Sequence, residues 1–181
     1  DFQINTTDKK LIENTLSDFN DQISRDTPTP GGGSASAYMG SVGASLSAMV
    51  ANLSVTKKGL EHNYNRFLSI SENCQKINAR FLELVDLDSQ AYDSVISAIR
   101  LPKKSKIDIK NRDKAIEQSN VYAANIPLEI LKECVAGLKQ TLAISEIGNP
   151  NSITDVGVAV ESLKAAAKGA ALNIIINAKS L

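Results

Sequence analysis

The chain has 181 residues, about one domain at roughly 100–200 residues per domain. Lys plus Arg and Asp plus Glu both number 20, a balance that argues against a general nucleic-acid binder, which carries a basic excess. Hydrophobic residues at 43% and charged residues at 22% support a real core and argue against disorder.

Aromatics make up only 4% and there is no tryptophan, so small aliphatic residues must fill the core, which favours closely packed helices. The cysteines are Cys74 and Cys134, and His62 is the single histidine. With no CxxC pair, a zinc finger is excluded and a zinc enzyme disfavoured, and no metal site is expected. A histidine-based triad would have to use His62. The N-terminal residues lack a basic-then-apolar leader, so the chain reads as cytoplasmic.

In chain order, Leu11, Ile12, Leu16, Phe19 and Ile23 fall on one helical face, which predicts an amphipathic helix over 8–25 with Thr7 as N-cap. Prolines and glycines at 26–33 make a loop. From Thr27 to Thr56 no residue is charged, and twelve of the eighteen residues from Ser34 to Ala51 are Gly, Ala or Ser. Serines and Asn52 make poor lipid contact, so this second helix, over 34–56, is read as buried in protein rather than in a membrane. A third helix is predicted over 64–100. Its seam, Phe67, Ile70, Cys74, Ile77, Phe81, Val85, Asp88, Tyr92, Val95 and Ile99, steps alternately by three and four. Pro102 ends it. A basic connector at 102–109 leads to a fourth helix over 110–147, where Pro127 predicts a kink or a junction of two helices. A turn at 148–152 precedes a fifth helix over 153–179. The second half of that helix is again uncharged and is expected to be the second buried helix. The reading is an all-α, multihelical array, a single domain over 1–181, with two buried central helices.

Asp88 stands on an apolar seam. A carboxylate there is either paired or held at a raised pKa, and the second case suits proton transfer near neutral pH. Asp86 lies about 200° around the helix and faces away. The plainer alternative for Asp88 is a helix-end or interhelical salt bridge made by a half-exposed carboxylate. The PGGGS run, Pro30 to Ser34, offers free N–H groups at a helix start and so an anion site, or else simply a tight turn. Lys103, Lys104 and Lys106 are either solvated or hold an acidic ligand tail. Asn173 and Asn177 share a face and either brace a neighbouring helix or read a heterocycle.

Five segments in order, TPGGGSASA with the uncharged helix through MVANLS, VDLDSQAYDSVISAIRLPKK, IPLEI, GNPNSITDVGVA and GAALNIIIN, resemble the formiminotetrahydrofolate cyclodeaminase / methenyltetrahydrofolate cyclohydrolase family. The resemblance spans nearly the whole chain. It implies an all-α dimer with a tetrahydrofolate derivative bound near the subunit contact, acting as a formiminotetrahydrofolate cyclodeaminase in histidine degradation or, alternatively, as a methenyltetrahydrofolate cyclohydrolase in one-carbon interconversion. A non-catalytic helical folate-binding module is the alternative of a different class. It implies no cofactor beyond the folate itself, no nucleic-acid or membrane partner, and any formiminotransferase as a separate chain. It places the catalytic acid at Asp88 with Asp86 beside it. Gly31, Gly32, Gly33, Ser34, Asn149 and Asp155 match positions expected near the ligand, and Lys57 and Lys103 are candidates for its anionic tail. The chain departs from the family at Asn52, where a basic residue is often found, and in the loosely matching VTKKGLEHN stretch.

Overall fold

The computed structural model describes residues 10–179, and every regular element among them is helical. Five α-helices follow in chain order: α1 (Leu16–Ile23), α2 (Gly32–Val55), α3 (Tyr64–Ile99), α4 (Lys106–Ile147) and α5 (Ile153–Ala178). Short 3-10 turns at Leu11–Glu13, Glu61–Asn63 and Pro150–Ser152 precede α1, α3 and α5. No helix among the described residues is long and apolar enough to cross a membrane.

The uncharged α2 is the centre of the bundle, packed against α3, α4 and α5. Its small residues allow neighbouring helices to approach the backbone. A methyl group on Gly40 would overlap the Phe81 ring of α3, and one on Gly43 would meet Leu163 and the Ala159 carbonyl of α5. Two of the buried serines satisfy their hydroxyls on the preceding turn, Ser47 to the Gly43 carbonyl at 3.0 Å and Ser54 to that of Val50 at 2.7 Å. That back-bonding is how a serine is accommodated inside a helix bundle without water.

The α3 seam is buried through Phe67, Ile70, Cys74, Ile77, Phe81 and Val85. Beyond Val85 the buried register passes to Leu84, Ala91 and Ala98, seven apart, while Tyr92 and Ile99 are exposed. The expected seam therefore leaves the core at Asp88. Cys74 and Cys134 are free, buried thiols, pushed by burial up to about 11 and about 12.

Three sequence expectations are corrected. The helix over 8–25 does not form as one piece: Asn14 and Thr15 are extended, and Thr15 caps a short α1 by accepting the Asp18 N–H at 3.1 Å. The proposed cap, Thr7, lies outside the described residues. Helix α4 starts at Lys106 rather than 110, because Ser105 and Asp108 form a reciprocal capping box. It runs past Pro127 as one helix, not two. Finally, α5 is not a second fully buried helix. Its line Val156, Ala159, Leu163, Ala166 and Ala170 is buried, but Leu172, Ile175 and Ile176 are 68%, 59% and 56% exposed. An uncharged run signals a surface removed from water but does not say whether the chain's own core removes it.

Candidate functional site

The loop from α1 ends in the cis Thr29–Pro30 peptide and delivers Gly31 as the N-cap of α2. Gly31 has no side chain with which to cap the helix. The cap comes instead from α3. The Asp88 carboxylate accepts the Ser34 backbone N–H at 2.8 Å and lies 3.0 Å from the Ser34 hydroxyl. A carboxylate at the first turn of a helix is also favoured by the helix dipole.

Close approach makes this possible, since any Cβ at Gly33 would overlap the Asp88 carboxyl group. Gly32 is less constrained, because a Cβ there would meet the Asn173 amide nitrogen at an ordinary 3.6 Å. Burial raises the Asp88 pKa above its ordinary value, and the Ser34 hydroxyl and N–H only partly oppose this. Among the described residues no cationic side chain forms a salt bridge with Asp88. At the glycine run the protein's own carboxylate takes the Ser34 N–H, while Gly31, Gly32 and Gly33 line the cavity beside it.

Asp88 lines an open cavity of about 260 Å³. Gly31, Gly32 and Gly33 form one edge, Tyr92 and Val95 continue along α3, and Asn120, Asn173 and Asn177 supply amides from α4 and α5. Asp88 is the one formally charged side chain among the described lining residues. Asn173 donates to the Gly169 carbonyl and Asn177 to the Ala123 carbonyl, each at 2.9 Å. Ala123 stands four residues before Pro127, which has no N–H to give it, so Asn177 from α5 completes the hydrogen bond that proline removes. Sequence reasoning did not single out Asn120; the available signal was its position seven residues before Pro127, on the same face of α4.

The other predicted site residues do not join Asp88. Asp86 points from the opposite face of α3, is only 8% exposed, and accepts the Leu11 N–H at 2.7 Å. It fastens the N-terminal turn and lines a different cavity, with Lys10, Ser89 and Asp93. Burial raises its pKa as well. Lys57 follows the far end of α2, a helix of 24 residues that spans about 36 Å. The Asn149 N–H donates to Ser54 at 2.8 Å at that same far end, and Asp155 follows in the first turn of α5. Lys103 is exposed in the α3–α4 connector and does not line the cavity. His62 lies in the turn after α2, so no histidine serves Asp88. Among the described residues no three His, Cys, Asp or Glu side chains gather closely enough to hold a metal ion.

A family model described as formiminotransferase-cyclodeaminase matches residues 15–181. The chain belongs to that family. It is 34% identical over 167 residues to a methenyltetrahydrofolate cyclohydrolase of Methylorubrum extorquens, covering 92% of this chain and 80% of that one. It is 27% identical over 175 residues to the formimidoyltransferase-cyclodeaminase of Rattus norvegicus, covering 96% of this chain but only 32% of that longer one. The fold is that of a formiminotetrahydrofolate cyclodeaminase from Thermotoga maritima, with a TM-score of 0.84 at 24% identity over 93% of this chain and 80% of that one. Family membership makes this a folate one-carbon enzyme of the cyclodeaminase/cyclohydrolase type.

Proposed function

We propose that Asp88 moves protons at the one-carbon group of a tetrahydrofolate derivative, and that the reaction is cyclodeaminase ring closure. N10 attacks the formimino carbon of 5-formiminotetrahydrofolate, Asp88 takes the N10 proton, and the same carboxyl returns a proton to the departing amine. The N10–carbon bond forms, the carboxyl is reloaded with one proton from solvent, the bond to the amine breaks, and the 5,10-methenyltetrahydrofolate cation and ammonia leave. The observation that carries this reading is a half-buried carboxylate, without a cationic partner among the described residues, facing an amide-lined cavity. A carboxyl raised towards neutrality can both accept and return a proton. The reaction as written uses no group besides the folate.

A second reading is methenyltetrahydrofolate cyclohydrolase, in which Asp88 activates water at the same carbon. It is favoured by the 34% identity to a relative of that name whose length this chain largely covers. One absorbance assay of the methenyl chromophore separates the two. Methenyl appearing from 5-formiminotetrahydrofolate supports ring closure. Enzyme-dependent methenyl loss alone supports hydrolysis. Either activity should fall by roughly 10²–10⁴ in Asp88→Asn, and a variant with wild-type turnover would remove Asp88 from the mechanism.

The working unit is proposed to be a homodimer. A cavity of about 260 Å³ lies just below the roughly 300–1,000 Å³ typical of ligand sites, which suits the reacting ring system but leaves the arylglutamate tail outside. Lys57, Asn149 and Asp155 lie at the far end of the bundle and could reach a folate at Asp88 only from a second copy. The formiminotransferase that would load the substrate is proposed to be a separate chain.

A further inference from the structure

Asp88 connects to a second cavity through the protein. The Ser34 hydroxyl, fully buried, lies 3.0 Å from Asp88, 3.0 Å from the Val85 carbonyl and 3.2 Å from the Ser89 hydroxyl. Ser89 lines a neighbouring open cavity, beside Asp86 and Asp93, which meets the Asp88 cavity at Thr29. We propose that Asp88, Ser34 and Ser89 form a proton relay that joins the catalytic carboxylate to solvent by a route separate from the substrate cavity.

The inference rests on the reading of Asp88 as the proton-transfer group. Its chemical need follows from the balance of the reactions. Hydrolysis converts a cationic methenyl group and water into a neutral formyl group and one proton. Ring closure from a neutral formimino group consumes one proton. In both cases Asp88 must exchange one proton with water per turnover, and a relay lets it do so while the folate ring fills the cavity it faces. The Ser34 hydroxyl touches both Asp88 and Ser89, so it can accept a proton from one side as it gives its own to the other, in either direction. The Val85 carbonyl holds the hydroxyl proton in the alternative orientation. Ser34 and Ser89 are thus positioning and relay groups rather than groups that touch substrate.

Ser89→Ala removes the exit while leaving the Ser34–Asp88 pair in place. The expected result is a fall in kcat of about tenfold, smaller than the roughly 10²–10⁴ for loss of the base itself, with KM unchanged and a larger solvent deuterium isotope effect on kcat. Ser89→Thr, which keeps the hydroxyl, should restore both. An unchanged kcat and isotope effect in Ser89→Ala would overturn the relay and leave Asp88 in place, provided Asp88→Asn is inactive. A lower kcat without a larger isotope effect would mark Ser89 as merely structural and also overturn it. A wild-type protein inert towards both folates would overturn the parent reading and the relay together.

Discussion

At the residue scale the site depends on one missing Cβ and one shared hydroxyl. Gly33 leaves the space in which the Asp88 carboxyl sits, whereas Gly32 has room for a methyl group. Gly33→Ala should therefore displace the carboxylate and cut kcat/KM by roughly 10²-fold or more, as misplacement of a reacting group does. Gly32→Ala should stay within a few-fold, and steady-state kinetics of the pair tests the difference. Asp88 also links activity to stability. Its folded pKa is raised above the ordinary 3.8 by burial, so the folded chain holds this proton more tightly than the unfolded chain does. The stability this contributes is fully present below the ordinary value and is lost as pH rises through the raised one. Asp88→Asn, with an amide oxygen that can still accept the Ser34 N–H, should be inactive yet melt at a higher temperature than wild type at neutral pH. That gap should close as pH falls towards the ordinary Asp range. A variant that melts lower at neutral pH would mean the hydrogen bonds to the carboxylate outweigh its desolvation.

At the element scale the telling case is Pro127. A proline inside a helix predicts a break because one carbonyl loses its partner and the ring crowds the preceding turn. Here α4 continues, and the freed Ala123 carbonyl is taken by Asn177 from α5. Removing that donor should cost about 1 kcal/mol, the low end of the penalty for an unpaired carbonyl, because the site is only partly buried. In a Pro127→Ala background the backbone N–H returns, so Asn177→Ala should cost less. Chemical denaturation of the double-mutant cycle measures the coupling, and strict additivity would contradict this account. Because Asn177 and Ala123 both line the folate cavity, the same bond fixes one wall of the site. The sequence offered both Pro127 and Asn177, but not their meeting, which depends on how α5 lies against α4.

At the scale of the whole molecule, α5 leaves Leu172, Ile175 and Ile176 exposed in the segment that contributes Asn173 and Asn177 to the cavity. Such a patch is costly in water and marks a contact surface. If a second copy covers it, Leu172→Glu buries an uncompensated charge in the interface at about 3–5 kcal/mol, which weakens self-association by roughly a hundredfold or more. Sedimentation of the variant should show monomer at concentrations where wild type is dimeric. A wild-type protein monomeric throughout the assay range would remove the homodimer from the proposal.

Some of this was fixed by residue types alone. The uncharged Gly/Ala/Ser run of α2 has no stable place in water, so it had to become the bundle centre. The periodic stripe of α3 gave a helix whose limits, Tyr64 and Ile99, fall within a residue of expectation. A carboxylate on that stripe stood out as Asp88 whatever the topology. Other features were decided only when helices met. The glycine run became the seat of Asp88, because α3 brings a carboxylate to that helix end. Lys57 and Asn149 were separated from the site by the full length of α2, since spacing along a chain carries no information about which end of a bundle a residue occupies. Asp86 and Asp88, two residues apart, face different cavities, as helical rotation requires. Local periodicity determines what each segment buries; only the packing of helices against one another determines which polar groups then share a cavity.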